Sequence, residues 1–221
     1  MGSAKIKQML RTIELECEST WRMTGRRVLR QSVMEAMANV PREEFVPPDI
    51  KPFAYDNRAL PIGNGQTISQ PFIVALMTDL LDPRQEHVIL EVGTGSGYQA
   101  AILSTLVKSV FSIEIISQLA TQAANRLDRL GYHNIKVIQG DGYQGLPEQA
   151  PFDGIIVTAA ASHVPIPLKE QLKPGGKLII PVGLPFAHQE LLLISKNRKG
   201  QLRTRSALDV AFVPLTGQQE Q

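Results

Sequence analysis

The chain has 221 residues, of which 43% are apolar and 20% are charged, and its net charge is +2. This composition excludes wholesale disorder, and so balanced a charge predicts neither a nucleic-acid nor a membrane partner. The single cysteine, Cys17, excludes an internal disulfide and a thiolate-rich metal site. We therefore expect one domain over residues 1–221, located in the cytoplasm and without a metal.

The first seventy residues divide into a helical part and an irregular part. Residues 1–40 place apolar side chains at helical spacing. Between residues 41 and 61, five prolines forbid a long helix, and residues 63–65 read Gly-Asn-Gly, which marks a turn. So long an irregular stretch inside a compact domain is more often functional than idle. We expect residues 1–70 to supply N-terminal helices and a ligand-contacting loop.

From residue 71 to residue 216 the predicted elements alternate between helix and strand. Helices are predicted over residues 71–81, over residues 98–107, and from Ser117, as the cap, to Gly131. Strands are predicted over residues 88–92, 110–115, 136–139, 154–158 and 177–181, with a closing antiparallel pair over residues 190–196 and 202–213. This alternation predicts an α/β fold whose doubly wound, mostly parallel sheet is covered by helices on both faces.

A glycine-rich turn follows the predicted strand at residues 88–92. It reads EVGTGSG from Glu91 to Gly97, and Glu114 ends the next strand. Glycines here let the backbone approach a ligand closely, and Glu114 is placed to accept hydrogen bonds from a ribose diol. Both features would fit a dinucleotide site. However, the dinucleotide fingerprint G-x-G-x-x-G requires glycine where this chain has Tyr98.

A G-x-G-x-G turn with an acid two positions before its first glycine resembles motif I of the class I S-adenosylmethionine-dependent methyltransferases. A third acid, Asp141, follows the third predicted strand, so three carboxylates lie at the carboxyl ends of three successive strands. The resemblance implies that Glu91 and the loop hold the methionine end of S-adenosyl-L-methionine, Glu114 the ribose and Asp141 the adenine. It also implies S-adenosyl-L-homocysteine as the product. Taken alone, Asp141-Gly142 is more typical of a turn than of an adenine contact.

Two absences exclude particular kinds of methyl transfer. No NPPY or DPPY tetrapeptide follows the fourth predicted strand, where methyltransferases of amides and exocyclic amines carry one. Cys17 lies far from the sheet in sequence, which argues against a cysteine nucleophile for pyrimidine carbons. The remaining possibility is methyl transfer to an acceptor that is already nucleophilic.

The segment before the glycine turn indicates one family among the class I methyltransferases. Residues 65–71 read GQTISQP and resemble the loop before motif I in the protein-L-isoaspartate O-methyltransferases. The resemblance extends from about residue 28 to the FVPLT run at residues 212–216. It implies a seven-stranded sheet, a monomer, and methylation of the free α-carboxylate of L-isoaspartyl residues in damaged proteins and peptides. The ester then closes to a succinimide, which partly reopens to normal aspartate.

The same resemblance implies the site residues. Ser69 matches the family's active-site serine, and we assign it to positioning because an acceptor carboxyl with a pKa of about 3.5 is already ionised at pH 7. The implied cofactor contacts are Gln66, Thr67, Ile68, Ser69, Glu91, Gly93, Gly95, Gly97, Glu114, Gly140, Asp141 and Thr216. From the sequence alone, Ser69 could instead cap the helix at residues 71–81. Ser162-His163 replaces the family's usual proline, in a loop expected to line the peptide groove.

Three other functions stay open. An NAD-dependent oxidoreductase would share the fold and Glu114 but would need glycine at the position of Tyr98. A methyltransferase of RNA or of a small molecule would need a basic or an apolar acceptor pocket. A cofactor-binding protein without turnover is disfavoured because Ser69 and all three carboxylates are present.

Overall fold

The computed structural model describes residues 2–185 and 187–217. Its N-terminal part is helical as predicted, with α1 (Gly2–Thr24) and α2 (Gln31–Asn39). Both helices pack through apolar side chains at helical spacing, among them Met9, Ile13 and Val33, which are almost completely buried. Within the described ranges, no helix combines the length and the apolar character that crossing a membrane requires.

The segment from residue 41 to residue 70 is more ordered than the predicted loop. It contains two 3₁₀ helices, Arg42–Phe45 and Pro48–Phe53, and a hairpin of β1 (Leu60–Gly63) and β2 (Gln66–Ile68). The predicted turn at residues 63–65 is the turn of this hairpin, and all three of its residues have positive φ. The strands are four and three residues long. Segments this short leave no periodicity for a sequence pattern to reveal.

Seven strands form the main sheet, which confirms the predicted fold. The remaining elements are α3 (Pro71–Leu81), β3 (Val88–Val92), α4 (Tyr98–Ser104), β4 (Ser109–Glu114), α5 (Ser117–Arg129), β5 (Ile135–Gln139), a 3₁₀ turn (Pro147–Gln149), β6 (Phe152–Val157), α6 (Ile166–Glu170), β7 (Leu172–Gly183), β8 (Gln189–Lys196) and β9 (Leu202–Val210). The strand order is β5-β4-β3-β6-β7-β8-β9. Strands β3 to β7 run parallel, and β8 and β9 are antiparallel to their neighbours.

Helices cover both faces of this sheet. Adjacent residues of β3 point to opposite sides. Ile89 belongs to the core that contains Leu76 of α3 and Ile102 of α4. Leu90 belongs to the core that contains Leu168 of α6. The chain runs outward from β3 to β5 and then returns to the other side of β3 as β6, so strand order reverses at β3. Ligands bind at such a reversal, beyond the carboxyl ends of the strands.

Two predicted helix boundaries differ from the structure. The helix that begins at Tyr98 ends at Ser104, three residues earlier than predicted. Ser117 is the first residue of α5 and not its cap; the capping position is held by Ile116. The Ile116 N–H donates to the Glu114 carboxylate at 3.0 Å. The capping residue is thus bonded to the end of the preceding strand, and no side chain of the capping residue bonds the first turn of α5. Gly131, with φ of +83°, follows the end of this helix as predicted.

Candidate active site

A solvent-open cleft of about 730 Å³ lies at the carboxyl ends of β3, β4 and β6. The predicted site residues that line it are Gln66, Thr67, Ile68, Ser69, Glu91, Gly93, Gly95, Glu114 and Thr216. The structure thus brings together segments that are up to 150 residues apart (66 to 216). The remaining three are not in the lining: Gly97 and Asp141 directly adjoin the lining residues Ser96 and Gly142, and Gly140 is two residues from Gly142.

The shape of the turn between β3 and α4 requires glycine at two positions. Gly93 has φ of +96°, and a Cβ there would lie 2.5 Å from the Thr158 hydroxyl oxygen. Gly97 has φ of +89°, and a Cβ there would lie 3.1 Å from the side chain of Leu127 in α5. These glycines therefore allow the turn to pack against β6 and against α5.

The backbone donors of this turn are bound by the protein itself. The N–H groups of Gly93 and Thr94 donate to the Ile113 carbonyl at 2.8 and 3.1 Å. The Gly95 N–H donates to the Glu114 carboxylate at 2.8 Å. In a phosphate-binding loop, such donors would instead point at the anion. The geometry therefore disfavours a dinucleotide site, in agreement with the presence of Tyr98 where the dinucleotide fingerprint requires glycine.

The charge of the cleft favours a cationic ligand. Its described lining contains neither lysine nor arginine but two acidic residues, Glu114 and Glu91, of which Glu91 has a pKa of about 8 and is protonated at neutral pH in the absence of a ligand. A pyrophosphate would be repelled here, whereas a sulfonium or an ammonium group would be attracted. S-Adenosyl-L-methionine carries both cationic groups, so the residues present fit it.

Glu91 is the most buried member of the site. Its side chain is fully buried, and its Oε2 accepts a short hydrogen bond from the Ser112 hydroxyl. Its Oε1 is buried and has no hydrogen-bond partner among the residues that the structure describes. Burial, with a smaller contribution from the nearby Glu114, raises the pKa of Glu91 to about 8, against the opposing effects of the Ser112 hydroxyl and the Ala100 backbone N–H. A cationic donor in the cleft would satisfy the unpaired oxygen.

The sequence did not single out Ser112 and Thr94, which support Glu91. The Ser112 hydroxyl bonds Thr94 at 2.5 Å as well as Glu91, so the three form a buried chain. Ser112 and Glu114 stand two residues apart on β4, so both side chains lie on the same face of the strand. Because side chains two residues apart on a strand share a face, the position of Glu114 could have indicated Ser112 from the sequence.

Asp141 closes a turn at the end of β5. Its Oδ1 accepts a hydrogen bond from the Tyr143 N–H at 2.9 Å. The alternative interpretation of Asp141-Gly142 as a turn is therefore correct. The adenine contact implied by the resemblance stays a prediction, to which the turn is no obstacle because a carboxylate accepts several hydrogen bonds.

Ser69 lies between β2 and α3, on a wall shared by two cavities. One cavity is the cleft, and the other is a groove between α1, residues 67–73 and the end of β9. The groove is lined by Glu16, Thr20, Ala59, Thr67, Ser69, Gln70, Phe72, Ile73, Leu208, Asp209, Val210, Ala211 and Phe212. Only Thr67 and Ser69 appear in both linings. Ser69 is therefore placed to contact a ligand in either cavity.

Ser69 does not cap the helix that comes after it. The capping position of α3 is Gln70, and the Phe72 N–H is bonded by the Asn57 side chain at 3.1 Å. The Ser69 hydroxyl makes no hydrogen bond to any residue within 2–185 or 187–217, whereas its carbonyl accepts one from Arg42. The alternative role as a cap is thus wrong, and the hydroxyl is available to a ligand. Sequence patterns had indicated neither Asn57 nor Arg42.

The loop at Ser162-His163 is outside the described linings of both cavities. Both residues are exposed, and among the described lining residues neither belongs to the cleft or to the groove. The His163 ring lies 6.2 Å from the Tyr143 ring. This placement gives no support to the expectation that the loop lines the peptide groove.

Comparisons with known proteins agree with this geometry. The family model of protein-L-isoaspartate(D-aspartate) O-methyltransferase matches residues 20–220. A protein of Syntrophobacter fumaroxidans named protein-L-isoaspartate O-methyltransferase 2 is 61% identical, over 98% of this chain and 87% of its own. One of the same name from a Polaromonas species is 57% identical, over 95% of this chain and 100% of its own.

Two solved structures have a similar fold. A protein-L-isoaspartate O-methyltransferase superposes with a TM-score of 0.82 at 28% identity, over 96% of this chain and 66% of that one. A putative protein-L-isoaspartate O-methyltransferase from Plasmodium falciparum, in complex with S-adenosyl-L-homocysteine, superposes with a TM-score of 0.77 at 25% identity. That match covers 95% of this chain and 97% of the other.

Proposed function

Because the chain belongs to the protein-L-isoaspartate(D-aspartate) O-methyltransferase family, we propose that Ser69 positions the α-carboxylate of an L-isoaspartyl residue beside the cofactor. The enzyme methylates L-isoaspartyl residues of proteins with S-adenosyl-L-methionine. With Ser69 in this role, the serine orients the acceptor, and the methyl ester that forms is the first intermediate of repair.

The position of Ser69 supports this role most directly. It lies on the wall common to the cleft and the groove, so one side chain can contact both the cofactor and the acceptor. Its hydroxyl has no partner among the described residues and can donate to a carboxylate oxygen. The bound cofactor supplies an electrophilic methyl group. The acceptor needs no general base because its pKa is about 3.5, so orientation and exclusion of water carry the catalysis.

We assign the cofactor to the cleft side of the site. Glu91, with its unpaired Oε1, faces the methionine end, and Glu114 faces the ribose hydroxyls. Asp141 accepts from the adenine amino group. Further contacts come from Gln66, Thr67, Ile68, Ser69, Gly93, Gly95, Gly97, Gly140 and Thr216.

The groove fits a peptide better than a nucleic acid. Its described lining includes Glu16 and Asp209 but neither lysine nor arginine, so a polyanion would be repelled. We infer that the substrates are isoaspartyl proteins and peptides, bound by a monomer in the cytoplasm. The methyl ester then closes to a succinimide with loss of methanol, and hydrolysis returns part of it to normal aspartate.

A methyl-transfer assay tests the proposal. Labelled S-adenosyl-L-methionine is offered with an L-isoaspartyl peptide and, as a control, with the same peptide containing aspartate. Base-labile label should appear only in the first, and Ser69→Ala should lower kcat/KM about 10- to 100-fold through lost orientation. Ser69→Thr, which keeps a hydroxyl, is the matched control and should retain more activity. Unchanged kcat and KM in Ser69→Ala would show that the assigned role is wrong.

A further inference from the structure

Arg42 is a buried charge that the sequence did not single out. Its side chain is completely buried, yet no carboxylate within the described residues forms an ion pair with it. Its Nε donates to the Ala54 carbonyl at 2.7 Å, and its Nη2 donates to the Ser69 carbonyl at 2.7 Å. Its guanidinium lies 4.8 Å from the centre of the Tyr98 ring. These contacts join three separate segments.

Stability alone explains this arrangement poorly. The Nη1 atom of Arg42 is buried without a hydrogen-bond partner in the part of the chain that the structure describes. Burial also lowers the pKa of Arg42, against the opposing effect of Tyr98, so the surroundings compensate its charge only in part. A well-packed apolar side chain generally serves a protein interior as well or better. The guanidinium therefore calls for a role that an apolar residue could not fill.

The three contacts of Arg42 connect the two sides of the active site. Ser69 lines the groove and the cleft, and Tyr98 begins α4 directly after the glycine turn and lines the cleft. The guanidinium is a rigid, planar fork, so bonding Ser69 while stacking on Tyr98 fixes their separation. We propose that Arg42 is a positioning residue, which holds Ser69 at the distance from the cofactor loop that methyl transfer requires. This inference rests on the proposed role of Ser69.

Arg126 offers a matched control on the other side of the cleft. Its Nη1 donates to the Ser96 carbonyl at 2.8 Å, so it too ties a cleft-lining backbone carbonyl to a guanidinium. Ser96 lies in the glycine turn and not in the groove. Replacing Arg126 should therefore affect cofactor binding, whereas replacing Arg42 should affect transfer to the acceptor.

The experiment compares Arg42→Lys, Arg42→Gln and Arg126→Lys with the parent. We expect both Arg42 variants to lower kcat for an isoaspartyl peptide by about 10-fold or more, because a small misplacement costs much in rate. The dissociation constant of S-adenosyl-L-homocysteine should rise by a smaller factor than kcat falls, because residues 66–69 supply only some of the proposed cofactor contacts, and amide exchange should accelerate over residues 66–70. Arg126→Lys should instead weaken S-adenosyl-L-homocysteine binding. Arg42→Gln removes the unpaired charge, so it keeps the test possible if Arg42→Lys does not fold.

A double-mutant cycle with Ser69→Ala separates positioning from a merely structural role. If Arg42 acts through Ser69, Arg42→Lys should cost much less in the Ser69→Ala background than in the parent. Additive losses, or a loss of S-adenosyl-L-homocysteine affinity as large as the loss of kcat, would overturn the proposal. If Ser69→Ala alone is fully active, the proposed role of Ser69 fails, and the exchange over residues 66–70 still reports whether Arg42 holds the loop.

Discussion

The two halves of the active site are held in place by different means. The cofactor half consists of β3, the turn at residues 93–97 and β4, and its turn is bonded to β4 through Ile113 and Glu114. The acceptor half is the segment from residue 41 to residue 70. Two of its own side chains fix the end of this segment: Arg42 donates to the Ser69 carbonyl, and Asn57 accepts from the Phe72 N–H. One half is thus determined by regular structure and the other by individual long-range contacts.

The difference in how the two halves are held is tested most strongly by adding a methyl group to a glycine in each half. At Gly93→Ala the new Cβ meets Thr158 and the backbone is strained, so we expect unfolding free energy to fall by about 2–4 kcal/mol. Gly65→Ala is the control: its φ is +71°, but nothing lies within 4 Å, so the expected cost is about 1 kcal/mol. Denaturant unfolding measures both. Similar losses would mean that the turn at Gly93 is no more tightly packed than the hairpin.

The buried carboxyl of the cofactor half should make ligand-free stability depend on pH. The pKa of Glu91 is about 8 in the folded state and 4.5 ordinarily, so the folded state binds the extra proton between these values. Stability should therefore fall as pH rises from about 4.5 to about 8. Glu91→Gln should lose this slope, as unfolding at about pH 5.5 and pH 8.5 would reveal.

The same substitution should weaken cofactor binding. The charged Glu91 can pair with a cationic ligand group and the amide cannot, so S-adenosyl-L-homocysteine should bind about 10-fold or more weakly to Glu91→Gln. In the parent, affinity should increase as pH rises through about 8. Calorimetric titration at two pH values measures this, and an affinity that is independent of pH would contradict the role of Glu91.

The smallest effect is expected at Asn57, whose side chain accepts a hydrogen bond from the first turn of α3. Asn57→Ala removes the acceptor for the Phe72 N–H and should cost about 1 kcal/mol. Asn57→Asp keeps an oxygen at this position and should retain most of the stability. Because α3 starts two residues after Ser69, kcat/KM should fall only about 3-fold in Asn57→Ala. Equal unfolding midpoints for both variants would argue against the cap.

This division also explains what the sequence could predict. Residues 71–81 and 88–92 were predicted with the bounds of α3 and β3, and Glu91, Gly93 and Glu114 were placed correctly because their positions are set by strand ends and glycine spacing. The hairpin and the cap by Asn57 could not be predicted, because they depend on contacts between residues 15 apart or on strands too short to show a period. Arg42 gave no signal, since no pattern marks an arginine as buried.

The wall formed by Thr67 and Ser69 limits how this enzyme can be redesigned. A substitution at either position changes both cavities at once, so under the proposed assignment a change of acceptor selectivity made there would also change cofactor affinity. The far side of the groove, at Glu16, Thr20 and Leu208, does not line the cleft. A library aimed at new peptide preferences should therefore diversify these positions and keep the shared wall constant.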